Sequence, residues 1–320
     1  MPGEPELREA TDAEKVARDA VTYPEWGTRL TIEQYLEREG VLRAHPFSRG
    51  MRTWLLVQAG AVLASCETYE NASRVGDERG VSWSIASVYT EPDLRGRGHC
   101  TRLMDLLVRR AEREGLQACV LFSDVGERLY ARSGYVAVRQ PLDWVLDVPS
   151  EPSGRPSDSS TGVPPSAHGG PLPLVEQIPL PRLDAPVAGT LQLEPSLEQL
   201  DWALAREALY ARFLKRCRPQ VHTARRGSAH ATWAAYFKSN ELIILWLHPG
   251  TAEETAALLD AARAQAHQCG LERVRLWAPP GLTAPPAVSP EKRKDELPMW
   301  RALGPRRLTS WTHVQRALWV

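Results

Sequence analysis

The chain has 320 residues, enough for two domains with proper cores, and its 39 basic and 39 acidic side chains cancel to a net charge of zero. That balance creates no global field to suggest nucleic acid or a membrane surface as a partner, and no apolar run approaches the ~20 residues of a membrane helix. The acidic opening Met-Pro-Gly-Glu-Pro-Glu lacks the hydrophobic region of a secretory signal, and the closing Leu318-Trp319-Val320 is no peroxisomal address. Cys66, Cys100, Cys119, Cys217 and Cys269 are odd in number and scattered without metal-ligand spacing. A reducing compartment, the cytoplasm, and no metal are therefore expected.

The first stretch reads as a β/α domain. A short strand at 6–9 leads into a helix from Asp12, where Thr11 caps and Glu14 stands at the reciprocal position of a capping box. A second helix is expected over 32–39. Strands at 53–58 and 61–69 flank Ala59-Gly60 as a hairpin, and a third at 83–89 delivers a Gly-rich loop. The helix after the loop carries an apolar stripe of Leu103, Met104, Leu107, Val108 and Ala111, with Arg109, Arg110, Glu112 and Arg113 facing solvent. A strand at 118–123, a short helix at 127–133 closed by Gly134, and strands at 135–139 and 143–148 complete the unit.

Residues 149–190 break this pattern with a Pro/Ser/Gly-rich run that reads as a flexible connector, its end at 174–190 packing as an extended strap. The expected division is thus a domain at 1–148, a linker at 149–190 and a second domain at 191–320. In the second domain, 200–214 is helical, 231–237 and 241–247 alternate like paired strands, and 251–268 is a helix with Thr251 and Glu254 as its capping box. A strand at 273–277, a helical turn at 298–303 and a final strand at 311–319 follow. The order echoes the first domain without a second Gly-rich loop, which implies a degenerate copy shaping the substrate site or an interface.

The loop Arg95-Gly96-Arg97-Gly98-His99-Cys100-Thr101 carries the chemistry. A nearly side-chain-free turn at a helix N-terminus lets several backbone N–H groups converge on one anion, favoured by the helix dipole. No Lys is present for a P-loop, and Thr101 stands where a dinucleotide fingerprint wants Gly, with Pro92-Asp93-Leu94 separating strand from loop. What remains, Arg-x-x-Gly-x-small after strand, turn and Pro, resembles motif A of the GCN5-related N-acetyltransferase superfamily, although the family prefers Gly or Ala at Cys100.

The resemblance implies an α/β acetyltransferase fold over 5–148, a mixed, largely antiparallel sheet flanked by helices, followed by an acetyltransferase-like C-terminal domain. It also implies acetyl-CoA as cosubstrate. Ser87, Val88 and Tyr89 would pair with the pantetheine arm, and Arg95, Gly96, Arg97, Gly98, His99, Cys100 and Thr101 would hold the pyrophosphate, His99 through its backbone. Tyr130, four residues before Gly134-Tyr135, resembles the family's acid that protonates the leaving sulfur; the alternative is a core tyrosine. Glu67 shares a strand face with Ser65 and Tyr69 and is the candidate base, the alternative being a solvated or salt-bridged strand glutamate, with Glu70 and Asp124 as lesser candidates. His222, His230 and His248 have no ligand-like spacing.

The runs Thr31 to Glu39, Leu63 to Tyr69, Phe122 to Gly126 and Leu200 to Arg206, with the Trp-rich C-terminal half, resemble the fungal lysine N-acetyltransferases of lysine degradation. That likeness implies a small-molecule amine acceptor, the side-chain amine of free L-lysine. Another amine, a peptide N-terminus or a protein lysine stays open, as does a non-catalytic acyl-CoA-binding module.

Overall fold

The computed structural model describes residues 3–139, 141–149, 187–279, 281–305 and 307–320. The expected connector lies almost wholly outside them, as does the strap up to residue 186. In chain order the elements are β1 (Glu6–Glu9), α1 (Asp12–Trp26), α2 (Ile32–Arg43), β2 (Arg52–Gln58), β3 (Ala61–Val75), β4 (Glu78–Thr90), α3 (His99–Arg113), β5 (Ala118–Ser123), α4 (Arg128–Ala131), β6 (Val136–Ala137) and β7 (Leu142–Asp147). After the gap come β8 (Thr190–Leu193), α5 (Leu197–Leu214), β9 (Thr223–Arg226), β10 (Ala229–Tyr236), β11 (Glu241–His248) and α6 (Ala252–Gln268). The chain ends with β12 (Arg273–Trp277), β13 (Ser289–Lys292), β14 (Leu297–Ala302) and β15 (Ser310–Thr312).

Local signals formed as their chemistry dictates. Both expected capping boxes, Thr11–Glu14 and Thr251–Glu254, are present. Ala59 and Gly60 both take positive φ, 49° and 81°, the twist that a two-residue hairpin needs. The five apolar residues of the α3 stripe are its buried residues, and they pack against Cys66, Trp83, Cys119 and Leu121 of the sheet.

Two sheets result. The first runs β1-β2-β3-β4-β5-β14-β6, with β8 on the far end of β3 and β15 beside β8; the second runs β13-β7-β12-β11-β10-β9. Each contains one parallel pair bridged by a helix, β4-α3-β5 and β11-α6-β12, so the second half repeats the first. Chain order and sheet membership nonetheless do not coincide. β14 of the second half lies antiparallel to β5, Trp300 opposite Val120, while β7 of the first half lies antiparallel to β12, Leu146 opposite Val274. The halves thus exchange equivalent strands, and the partners follow: β6 pairs with β14, and β13 with β7. The cores are cross-furnished too. Met299 and Leu303 enter the first, and Leu30, Tyr35, Trp144 and Leu146 enter the second.

Three expectations need correction. Residues 298–303 are not a helical turn, because Leu297–Ala302 is a strand that buries Met299 and Trp300 between β5 and β6. The final strand over 311–319 is only Ser310–Thr312, followed by a 3-10 turn at Arg316–Leu318. The strands expected at 61–69 and 83–89 are longer, Ala61–Val75 and Glu78–Thr90, and continue as one hairpin through residues 70–82. Its polar residues are buried in a ladder: Asn71 donates to Ser84 at 2.9 Å, Ser82 to Ser73 at 2.8 Å and Ser73 to Gln117 at 2.9 Å. Satisfied in this way, they cost little to bury.

Candidate active site

The parallel pairing of β4 and β5 runs from Trp83↔Cys119 to Ile85↔Leu121 and then stops. A register shift on β4 explains the parting. Glu67 lies opposite Ala86 but Ser65 lies opposite Tyr89, so β4 carries one extra residue, and Ser87 adopts φ 52°. A bulge of this kind bends its strand and re-aims the backbone. Beyond it, Ser87, Val88 and Tyr89 line a cleft of about 1290 Å³ between the halves.

At the end of β4, Gly96 and Gly98 take φ 79° and 82°, a conformation that glycine adopts without strain. A Cβ on either would meet nothing within 4 Å, so it is conformation and the open space above that call for glycine there. Gly98 is the N-cap of α3 and supplies no side-chain cap, leaving first-turn N–H groups open to an anion. Cys100 turns inward against the core, its thiol pushed up to about 11 by burial. A small apolar side chain serves at that place. Arg95 reaches Glu25 at 2.6 Å and stacks over Tyr89, 5.5 Å from its centroid. His99 and Thr101 line the cleft, whereas Arg97 is exposed away from it.

The corresponding helix of the second half is closed. Thr251 caps α6, and the Glu254 carboxylate folds over its start, where a Cβ on Gly227 or Gly250 would strike it. A carboxylate covering a helix N-terminus excludes a second anion there.

Glu67 and Tyr130 both line the cleft. Glu67 accepts a hydrogen bond from Ser87 Oγ at 2.9 Å, which ties it to the bulge. Burial, seconded by the nearby Glu39 carboxylate, pushes its pKa up to about 7, against the opposing pull of Ser87 and Arg43. Tyr130 is 7% exposed, packs edge-on to Tyr135 with centroids 6.2 Å apart, and is held protonated at neutral pH by burial. Of the lesser candidates, Glu70 pairs with Arg52 at 3.2 Å on an exposed face. Asp124 accepts from the Glu296 N–H at 3.0 Å. His222 contacts buried Glu207 at 2.9 Å, and His230 stacks on His248.

Sequence reasoning missed the rest of the floor. Asp19 on α1 accepts from Arg43 at 2.7 and 2.8 Å, and Glu39 on α2 from Arg38 Nε at 2.8 Å. Burial raises the Asp19 pKa. α2 also fixes the second half in place: Arg38 donates to the Tyr210 hydroxyl at 2.6 Å, and Arg29 just before it to the Phe237 carbonyl at 2.7 Å. Charged residues on amphipathic helices usually face solvent, so nothing local marked these as lining a cleft. Among the described residues, no group of three or more His, Cys, Asp or Glu side chains is arranged to hold a metal ion, and no helix is long and apolar enough to cross a membrane.

Comparison with known proteins agrees with this geometry. Residues 18–135 match the Acetyltransferase (GNAT) family, and residues 187–320 match the LYC1 GNAT-like C-terminal domain. A lysine acetyltransferase of Yarrowia lipolytica is 25% identical, covering 85% of this chain and 84% of that protein. A probable N-acyltransferase of unknown function from Enterococcus faecalis shares the fold at 12% identity with a TM-score of 0.58, over 95% of this chain and 73% of that one. Eis1 from Mycobacterium abscessus does so at 14% identity and a TM-score of 0.54, over 93% and 73%. With an open helix N-terminus in one half and a capped one in the other, the chain is an N-acetyltransferase built of two GNAT superfamily domains, an acetyltransferase domain and a GNAT-like C-terminal domain of the LYC1 type.

Proposed function

We propose that this N-acetyltransferase moves the acetyl group of acetyl-CoA to the side-chain amine of free L-lysine by direct attack. The observation that carries the reading is the Glu67 carboxyl, tied to the β4 bulge and raised to about 7, in one cleft with Tyr130. Acetyl-CoA supplies the activated thioester. The first-turn N–H groups of α3 behind Gly96 and Gly98 bind the pyrophosphate. The backbone of residues 86–90, freed from β5 by the bulge, orients the pantetheine arm and offers an N–H to the acetyl oxygen. Glu67 takes the proton of the incoming ammonium, directly or through water, and a pKa near 7 suits a base at neutral pH. Tyr130, kept protonated by burial, returns a proton to the departing sulfur.

The walls of the cleft favour a small amine over a protein lysine, and a relative's name favours lysine as the amine. α2 and the second half wall the cleft on the amine side through the Arg38–Tyr210 and Arg29–Phe237 contacts. The Yarrowia relative is a lysine acetyltransferase by name. All five cysteines are free, which supports a reducing, cytoplasmic setting. Thiol release from acetyl-CoA, measured against free amino acids, polyamines and a histone-type peptide, tests the reading: lysine should lead the panel. Activity with the peptide alone would sink it.

A further inference from the structure

The wall that the second half contributes to the cleft carries Glu241, Glu291, Asp295 and Glu296, and beside them two arginines whose donors are not all used. Arg206 on α5 lies over the rings of Trp202, Tyr236 and Trp319, at 6.0, 5.4 and 4.7 Å from their centroids. Its Nη1 is buried and donates to no group among the described residues. Arg316 lies over two of the same rings, 5.1 Å from the centroid of Tyr236 and 3.8 Å from that of Trp319. It is 3% exposed; its Nη2 reaches Glu296 at 2.8 Å, but its Nε and Nη1 are buried without acceptors. Lys238 lines the same wall, its pKa lowered by burial, with Arg206 and Arg38 adding to the effect. Of the neighbouring carboxylates, Asp143 accepts from Arg275 and Arg293, Glu241 from Arg275, and Glu296 from one nitrogen of Arg316. Buried guanidinium N–H groups with no acceptor, one on half-buried Arg206 and two on buried Arg316, are costly unless an anion completes them.

The surface between this wall and Glu67 is aromatic. Tyr69 stands two residues beyond Glu67 on the same strand face, Trp202 meets Tyr69 edge-on at 6.4 Å, and Arg206 stacks on Trp202. A carboxyl that accepts a proton, a stretch of ring faces and an anion-seeking pair of arginines thus follow one another along the cleft. An amine joined to a carboxylate by a run of methylenes has the same sequence of groups.

We propose that Arg206 and Arg316 form a carboxylate subsite that reads the α-carboxylate of the acceptor, so that the enzyme selects a free amino acid with a long cationic side chain over the same amine without its carboxylate. The inference rests on the small-amine reading above. It is tested with full-length enzyme by comparing kcat/KM for L-lysine and L-lysinamide, which share the side-chain amine and differ only at the carboxylate. Wild-type enzyme should prefer lysine by about 10- to 100-fold, the range of hydrogen bonds to a charged group. Arg206→Gln should erase most of that preference through KM, and Arg206→Lys should keep part of it. Equal use of the two amines by wild type overturns the subsite while leaving lysine-amine acetylation intact. A preference retained by Arg206→Gln, whatever its absolute rate, overturns it as well. Activity restricted to a peptide removes the small-amine reading and the subsite together.

Discussion

Replacing Glu67 by Gln separates chemistry from stability in one substitution. Gln is nearly isosteric and its side-chain oxygen can still accept from Ser87 Oγ, the partner Glu67 holds at 2.9 Å. The fold should therefore persist while the proton acceptor is lost, and kcat/KM should fall by about 100- to 10,000-fold. Wild-type kcat/KM should climb about tenfold per pH unit below pH 7 and level off above it, since the carboxyl must be ionised and its pKa is about 7. Lysine itself stays protonated across that window and adds no break there. Stability should move the other way. A carboxyl raised from 4.5 to about 7 is harder to ionise in the folded state, so the folded chain binds more protons between those values and stability falls as pH rises through them. The full cost, at most about 3 kcal/mol by the pKa difference and less where cleft water screens the charge, applies above pH 7 and vanishes below the unfolded value. Glu67→Gln should accordingly raise Tm at pH 8 and leave it unchanged near pH 4.5. Thiol-release rates and thermal melts across pH 4.5–9 measure both. A variant that keeps a pH 7 limb, or loses less than about threefold in rate, refutes Glu67 as the base.

Tyr130→Phe should lower kcat by about 100- to 1,000-fold with the KM for acetyl-CoA unchanged, as expected of a proton donor; steady-state kinetics with either substrate varied checks the split. Gly98→Ala meets no neighbour within 4 Å but must hold φ 82°, so it should cost about 1–2 kcal/mol of strain. A rise in the KM for acetyl-CoA with the KM for the amine unchanged would mark the loop as the cofactor cradle. A protease site placed within residues 150–186 tests the strand exchange. After cleavage the two fragments should co-elute and melt as one transition, because none of the described strand pairings is cut. Fragments that separate in native buffer would contradict that reading.

The features legible in the sequence are those that nearby residues determine. Thr11–Glu14, Thr251–Glu254, the Ala59-Gly60 turn and the α3 stripe each state their structure within a few residues. The anion nest is legible for the same reason, since Gly96 and Gly98 are needed by the turn itself. The strand at Leu297–Ala302 is different. Pro298 suits the first turn of a helix and counts against a strand, and only the vacant edge of β5, more than 170 residues earlier in the chain, makes that segment extended. The polar ladder of Asn71, Ser73 and Ser82 misleads similarly, because its partners Ser84 and Gln117 lie on other stretches of chain. In the site, Glu67 and Tyr130 could be singled out because each sits in a local pattern. Arg206 and Arg316 could not, because they are brought together on Tyr236 and Trp319 only by the folding of segments about 110 residues apart.

The reciprocal strand exchange also limits how the enzyme can breathe. Two lobes joined by one flexible strand can swing about a hinge, and many enzymes admit substrate that way. Here β7 and β14 cross in opposite directions, each hydrogen-bonded within the far sheet. Rocking the lobes apart would tear backbone ladders on both sides. Entry and exit therefore fall to the rim. The frame around the cleft is thus built by both halves at once, and neither lobe can be displaced without unpairing a strand of the other.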